Sequence, residues 1–246
     1  MIKYYCKEIY LFFGRIIRNI QFYQKLTLLD YPSKTACTVF TYGCNLRCPF
    51  CHNALLVTQP AEEQVDENEF FAFLEKRKGL LDGVCITGGE PLIQPDIKDF
   101  IRKIKDMGYL VKLDTNGFFP EKLKDLLSSG LLDYVAMDIK NSPDRYAFTC
   151  GLERVDLSKV NESIDLLKNS GVDFEFRTTA VKEFHSAESF IEIGKWLNGG
   201  FKYFIQSFKD SGNTIEKGLS SFTEEELLAF KAAVSPFLPR VSLRGV

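Results

Sequence analysis

The stretch Ala36-Cys37-Thr38-Val39-Phe40-Thr41-Tyr42-Gly43-Cys44-Asn45-Leu46-Arg47-Cys48-Pro49-Phe50-Cys51-His52 decides the fold and localises the chemistry. Its first part, Ala36 to Phe40, is a short run rich in apolar and β-branched residues, the composition of a buried strand. Its second part places three cysteines on the loop that follows. On the C-terminal side the same unit recurs. Strand-like runs at Gly83 to Ile86, Tyr109 to Leu113, Tyr134 to Asp138, Phe174 to Thr179 and Tyr203 to Gln206 continue the series. Helical patterns at Glu67 to Lys78, Ile97 to Met107, Glu121 to Ser128, Lys159 to Asn169, Ala187 to Leu197 and Glu224 to Val234 follow these strands in turn. Thr223 with Glu226 three residues on forms a capping box, and Pro120 stands at a helix start, where its missing N–H costs nothing. Six strand-then-helix units specify an α/β fold with a parallel sheet and outer helices, either doubly wound or curled into a partial barrel. In both, chemistry belongs at the carboxyl ends of the strands.

At 246 residues and 45% apolar composition the chain is long enough for one sizeable core. Residues 26–246 are read as that single domain, and residues 1–25 as an N-terminal extension whose Tyr4, Tyr5, Tyr10, Phe12, Phe13, Phe22 and Tyr23 suit a packing arm. The apolar stretch Ile9 to Phe13 is too short to span a bilayer and lacks a small-residue cleavage site. A net charge of -2 offers no general attraction to nucleic acid or an anionic membrane. Lys98, Arg102, Lys103 and Lys105 alternate with Ile97, Phe100, Ile101 and Ile104 at helical spacing, which is a solvated helix face rather than a binding patch. Seven cysteines, three clustered and Cys6, Cys37, Cys85 and Cys150 scattered, do not form a disulfide framework. Clustered free thiols point to a reducing compartment, most simply the cytoplasm.

Three ligands are the informative count in Cys44, Cys48 and Cys51. Three thiolates can hold three irons of a cubane and leave the fourth with an open position, the feature that separates a catalytic metal from a structural one. Cys48 to His52 also reads as the haem c attachment pattern, but attachment needs an export route that the sequence does not show. A zinc site from Cys44, Cys48, Cys51 and His52 fits by ligand type, although structural zinc sites usually bring two ligand pairs from separate elements.

The C-x3-C-x2-C spacing, with Phe50 before the last cysteine, resembles the signature of the radical S-adenosylmethionine (SAM) superfamily. The wider string Thr27-Leu28-Leu29-Asp30-Tyr31-Pro32, through Thr35 to Thr41, to Cys51-His52-Asn53 resembles the activating proteins of anaerobic ribonucleoside-triphosphate reductase, relatives of pyruvate formate-lyase activase. The similarity covers about residues 25–210, with Ser33 standing where that family has glycine. The resemblance implies a partial (β/α)6 barrel, a [4Fe-4S] cluster on Cys44, Cys48 and Cys51, and SAM on its open iron. It further implies a flavodoxin or ferredoxin-type reductant and a glycyl radical enzyme as protein substrate.

The remaining site candidates follow the strands. Thr87-Gly88-Gly89-Glu90-Pro91 ends the second, with glycines that permit close backbone approach and a carboxylate that can accept from an ammonium. It resembles the GGE motif that grips the methionine amino group of SAM. Asp114-Thr115-Asn116-Gly117 ends the third; flanking helices make it a strand-to-helix turn rather than an Asn-Gly hairpin, and the resemblance puts Asp114 and Asn116 near SAM. Asp138 and Lys140 share a face by period-two geometry, and with Tyr146 they resemble the D-x-K-x5-Y of glycyl radical activases, whose lysine meets the SAM carboxylate. A surface ion pair is the alternative reading. Arg177 is a second candidate for that carboxylate, against an internal Glu175–Arg177 network. Phe208 falls where pyruvate formate-lyase activase has a ribose-binding histidine, with Gln206 as a substitute, and His185 is read as a surface loop residue. A radical SAM enzyme acting on a small molecule or peptide, and a non-enzymatic zinc or electron-transfer module, are the competing functions.

Overall fold

The computed structural model describes residues 20–59, 65–210 and 212–246; most of the expected packing arm lies outside them. The elements run β1 (Ile20–Thr27), β2 (Ala36–Thr41), α1 (Ala54–Thr58), α2 (Glu67–Glu75), β3 (Gly83–Gly88), α3 (Ile97–Asp106), β4 (Leu110–Thr115) and α4 (Pro120–Ser128). They continue as β5 (Tyr134–Asp138), α5 (Tyr146–Thr149), α6 (Leu157–Asn169), β6 (Asp173–Ala180), α7 (Ala187–Leu197), β7 (Lys202–Ser207), α8 (Glu224–Val234) and β8 (Val241–Arg244). The strands lie in one sheet in chain order, β1 through β8. Without a reversal of strand order there is no doubly wound switch point, which leaves the partial barrel.

From β2 to β8 every neighbouring pair is parallel, and β1 joins β2 antiparallel with two register irregularities. The six expected strands correspond to β2 through β7. Sequence reading missed β1 because IQFYQKLT is an edge strand, half exposed and mixed in polarity, whereas interior strands are nearly continuous apolar runs. Residues 20–25, read as the end of the extension, form most of it; Phe22 stacks on Phe40 and Tyr23 packs against Phe70 and Phe73. The short β8 is pinned by Arg244, whose guanidinium lies 3.8 Å from the Phe204 ring centroid and pairs with the buried Glu175 at 2.7 Å.

Helix ends follow local chemistry. The Thr223–Glu226 capping box opens α8, and Ser186 with Ser189 does the same for α7. In α3, Ile97, Phe100, Ile101 and Ile104 are buried, while Lys98, Arg102, Lys103 and Lys105 pair outward with Asp125, Asp99, Glu67 and Asp133. Ser33 holds φ +59°, the left-handed region that glycine enters without cost, so the turn before β2 keeps a glycine-like backbone although it carries serine. No helix of the described residues is long and apolar enough to cross a membrane.

Candidate active site

Each parallel strand delivers its motif to the same end of the barrel. Cys44, Cys48, Phe50, Cys51, Gly88, Gly89, Glu90, Asp114, Asn116, Asp138, Lys140 and Arg177 all line one cavity of about 420 Å³, together with Asp30, His52 and Gln206. The cysteine loop is set down by Gly43 N–H on Leu56 O, by Arg47 N–H on Cys150 O, and by the Arg47 guanidinium on the Cys44 and Leu46 carbonyls. Phe50 turns inward against Phe184 and His185.

The double glycine has a structural cause first. A Cβ on Gly89 would stand 1.9 Å from Gly43 O, and one on Gly88, at φ +124°, would stand 2.3 Å from the backbone of Thr41. The glycines therefore let β3 close directly on the base of the cysteine loop. Glu90 is fully buried and ties β3 to β4: Oε1 accepts from Leu92 N and Thr115 Oγ1, and Oε2 accepts from Asn116 N at 2.6 Å. Burial lifts its carboxyl to about 7, with those three hydrogen bonds opposing the rise.

A charge network lines the same cavity. Lys112 is buried and bonds Asp114; Arg177 reaches Asp114 at 3.1 Å and Asp138 at 2.5 Å; Lys140 takes the other oxygen of Asp138 at 2.7 Å. Burial raises the Asp138 carboxyl, but Arg177 and Lys140 together outweigh it and hold it well below the usual range. Three cations against two carboxylates leave this network one positive charge in excess, an environment suited to an anionic ligand group. The Asp138–Lys140 pair is thus part of the cavity wall and not a surface pair. Glu175 does not pair with Arg177, as the sequence reading allowed; it is taken by Arg244 and by Tyr134 Oη.

The cysteines differ in surroundings. Burial pushes the Cys44 thiol up to about 12 and raises Cys51, whereas a hydrogen bond from Cys150 lowers the Cys48 thiol against its burial, with help from Lys140. Cys150 was scattered in sequence and is brought beside Cys48 only by the fold. His185 corrects the sequence reading: it is buried, with Nε2 2.9 Å from Lys140 O and its ring stacked on Phe190. Burial depresses its pKa to about 4, so it is neutral and donates from Nε2. Nothing in its local sequence signals this, since the contact joins residues far apart in the chain. Phe208 is buried and packs on His52, while Gln206 faces the cavity. Lys112 was also missed, hidden inside the run that reads as a plain strand.

A family model described as the radical SAM superfamily matches residues 38–197, well over half of the chain. The chain belongs to the radical SAM superfamily. It is a radical SAM enzyme, and its cofactors are a [4Fe-4S] cluster and SAM. Among curated proteins this radical SAM enzyme is 33% identical, over 90% of its own length and 93% of the relative's, to a Methanocaldococcus jannaschii protein named as a glycyl-radical enzyme activating enzyme. It is 29% identical, over 52% of its length and 55% of the relative's, to the pyruvate formate-lyase-activating enzyme of Clostridium pasteurianum. Among solved structures, SAM-bound SuiB of Streptococcus suis superposes with a TM-score of 0.64 at 16% identity, covering 82% of this chain and 48% of that one. QueE from Escherichia coli superposes with 0.55 at 13% identity over 94% and 95%. Both support the fold alone.

The donor set fits the cluster. A single zinc ion asks for its donors to converge on one point. A cubane asks instead for one thiolate at each of three separate irons, and the three thiols lining one cavity supply that number.

Proposed function

We propose that this enzyme activates a glycyl radical enzyme, that the partner is an anaerobic ribonucleoside-triphosphate reductase, and that a flavodoxin or ferredoxin-type protein supplies the electron. The observation that carries the reading is the single cavity in which the three cysteines, the double glycine and the Asp138–Lys140–Arg177 network meet. Similarity over nine-tenths of the chain to a protein named as a glycyl-radical enzyme activating enzyme supports the reaction class. The string from Thr27 to Asn53 supports the reductase as partner. An open sheet, in which β1 and β8 are the two edges, leaves a side for a polypeptide loop to enter.

When bound, the cluster and SAM would supply the one-electron radical chemistry needed for hydrogen abstraction from a glycine. The protein's part is to hold and orient. Cys44, Cys48 and Cys51 hold the cluster. The Gly88–Gly89 backbone and Glu90 face the methionine ammonium, and Phe50 walls the cavity beside the cysteines. Lys140 meets the SAM carboxylate, oriented by Asp138 and by His185 on its carbonyl. Arg177 and Asp114 line the same cavity next to this pair, and Asn116 lies beside the cysteine loop with its amide on Asn45 and Cys44. Tyr146, fully buried, supports this strand end through its hydroxyl near Asp138 O.

Anaerobic reconstitution should give about four irons per chain, with reduced protein cleaving SAM. Cys44→Ala, Cys48→Ala and Cys51→Ala should each abolish cleavage. Reduced enzyme with SAM and the reductase should then produce a doublet glycyl radical signal in electron paramagnetic resonance. A silent spectrum with SAM cleavage intact and a competent reductase excludes that partner.

A further inference from the structure

Asn116 is buried, and each side-chain donor and acceptor is engaged. Its Oδ1 accepts from Phe118 N at 3.1 Å. Its Nδ2 lies 2.8 Å from Asn45 Oδ1 and 3.8 Å from Cys44 Sγ, within donor reach of both. A flip of the amide would set its NH2 against the Phe118 N–H, which can only donate, so the donor orientation toward Asn45 and sulfur is fixed. The backbone is fixed as well, because Asn116 N donates to the buried Glu90 carboxylate. Leu46 N adds a second donor on the same sulfur at 3.4 Å. The fold therefore brings a side-chain amide from the end of β4 onto one cysteine sulfur of a loop that follows β2, 72 residues away.

We infer that Asn116 tunes the reduction potential of the cluster through its hydrogen bond to Cys44 Sγ, making the one-electron reduction easier. The inference rests on Cys44 being a cluster ligand. In the reduction a low-potential donor gives up one electron, the cluster gains one negative charge, and no bond forms or breaks. The added charge is shared with the ligand sulfurs, so an N–H aimed at Sγ is worth more after reduction than before. Asn116 thus favours the reduced state. Losing the donor should lower the equilibrium constant for reduction by about tenfold, the scale of one differential charge-assisted hydrogen bond, which is about 59 mV for one electron.

The test is a redox titration of reconstituted Asn116→Leu, similar in volume but without a donor, followed by its reduced-cluster paramagnetic signal. Iron content and visible absorption are recorded first, so that failure of Cys44 to hold a cluster is told apart from failure of this inference. The expected result is about four irons and a midpoint lower by the amount above. An unchanged midpoint with a full iron complement overturns the inference. Should the variant not assemble, wild-type enzyme grown with side-chain-15N asparagine decides. Pulsed resonance on the reduced cluster should show a 15N coupling that persists in Asn45→Ala, and its absence from the wild-type spectrum overturns the inference.

Discussion

Arg177→Ala and Lys140→Ala should separate stability from ligand binding within one charge network. Arg177 makes two of its ion pairs, to Asp138 at 2.5 Å and Asp114 at 3.1 Å, and its removal strips both carboxylates of one partner. Each keeps a lysine, Lys112 for Asp114 and Lys140 for Asp138, which places the loss at the lower end for a broken buried pair, about 3 kcal/mol. Lys140→Ala leaves Asp138 with Arg177 and should cost about 1 kcal/mol of stability. For SAM the order reverses. Among the described residues the Lys140 ammonium has Asp138 as its acceptor and keeps N–H groups for a ligand carboxylate, whereas the Arg177 guanidinium also keeps N–H groups but its charge is already shared between two aspartates. Loss of one charge-assisted contact of about 2 kcal/mol weakens SAM binding roughly 30-fold in Lys140→Ala. Urea unfolding of the anaerobic protein gives the first quantity, and calorimetric titration of reconstituted protein with SAM gives the second. Unchanged SAM affinity in Lys140→Ala, with a large loss in Arg177→Ala, would refute the assignment and move the carboxylate to Arg177.

Glu90 should impose a pH dependence of its own. Its folded pKa of about 7 lies above the ordinary 4.5, so the native state binds the proton more tightly and stability falls as pH rises from about 4.5 through about 7. His185, depressed to about 4, works in the opposite sense below its ordinary 6.5, so the measurement is the difference between wild type and Glu90→Gln in urea at pH 5 and pH 8. That difference should shift against wild type at pH 8. Ser33→Gly should stabilise the fold by about 1 kcal/mol by relieving a left-handed serine, read as a rise in the urea midpoint with unchanged slope. Gly89→Ala should prevent iron incorporation even where the barrel still folds, because the new methyl meets Gly43 O at the base of the cysteine loop; full iron content would contradict the packing account.

The amino-acid order by itself determined what depends on neighbours in the chain. Alternating strand and helix periods placed β2 through β7, and each motif at a strand end was legible because its residues are contiguous, as in Cys44 to Cys51, Gly88 to Glu90 and Asp138 to Lys140. The capping box of α8 and the buried face of α3 were readable for the same reason. Tertiary structure alone decided who pairs with whom. The β5–β6 register sets Asp138 beside Arg177, so a side chain that looks like an isolated charge in sequence is neutralised from the neighbouring strand, while the buried Lys112 takes Asp114 two residues on along its own strand. Glu175 and Arg177 are two residues apart on one strand face, yet they go to different partners because β8 brings Arg244 to the first and β4 and β5 bring Asp114 and Asp138 to the second. His185 on Lys140 O, Asn116 on Cys44 Sγ and Cys150 beside Cys48 were invisible for the same cause. Each contact joins segments tens of residues apart, and no local pattern records such a contact until the sheet has curled and fixed the distances.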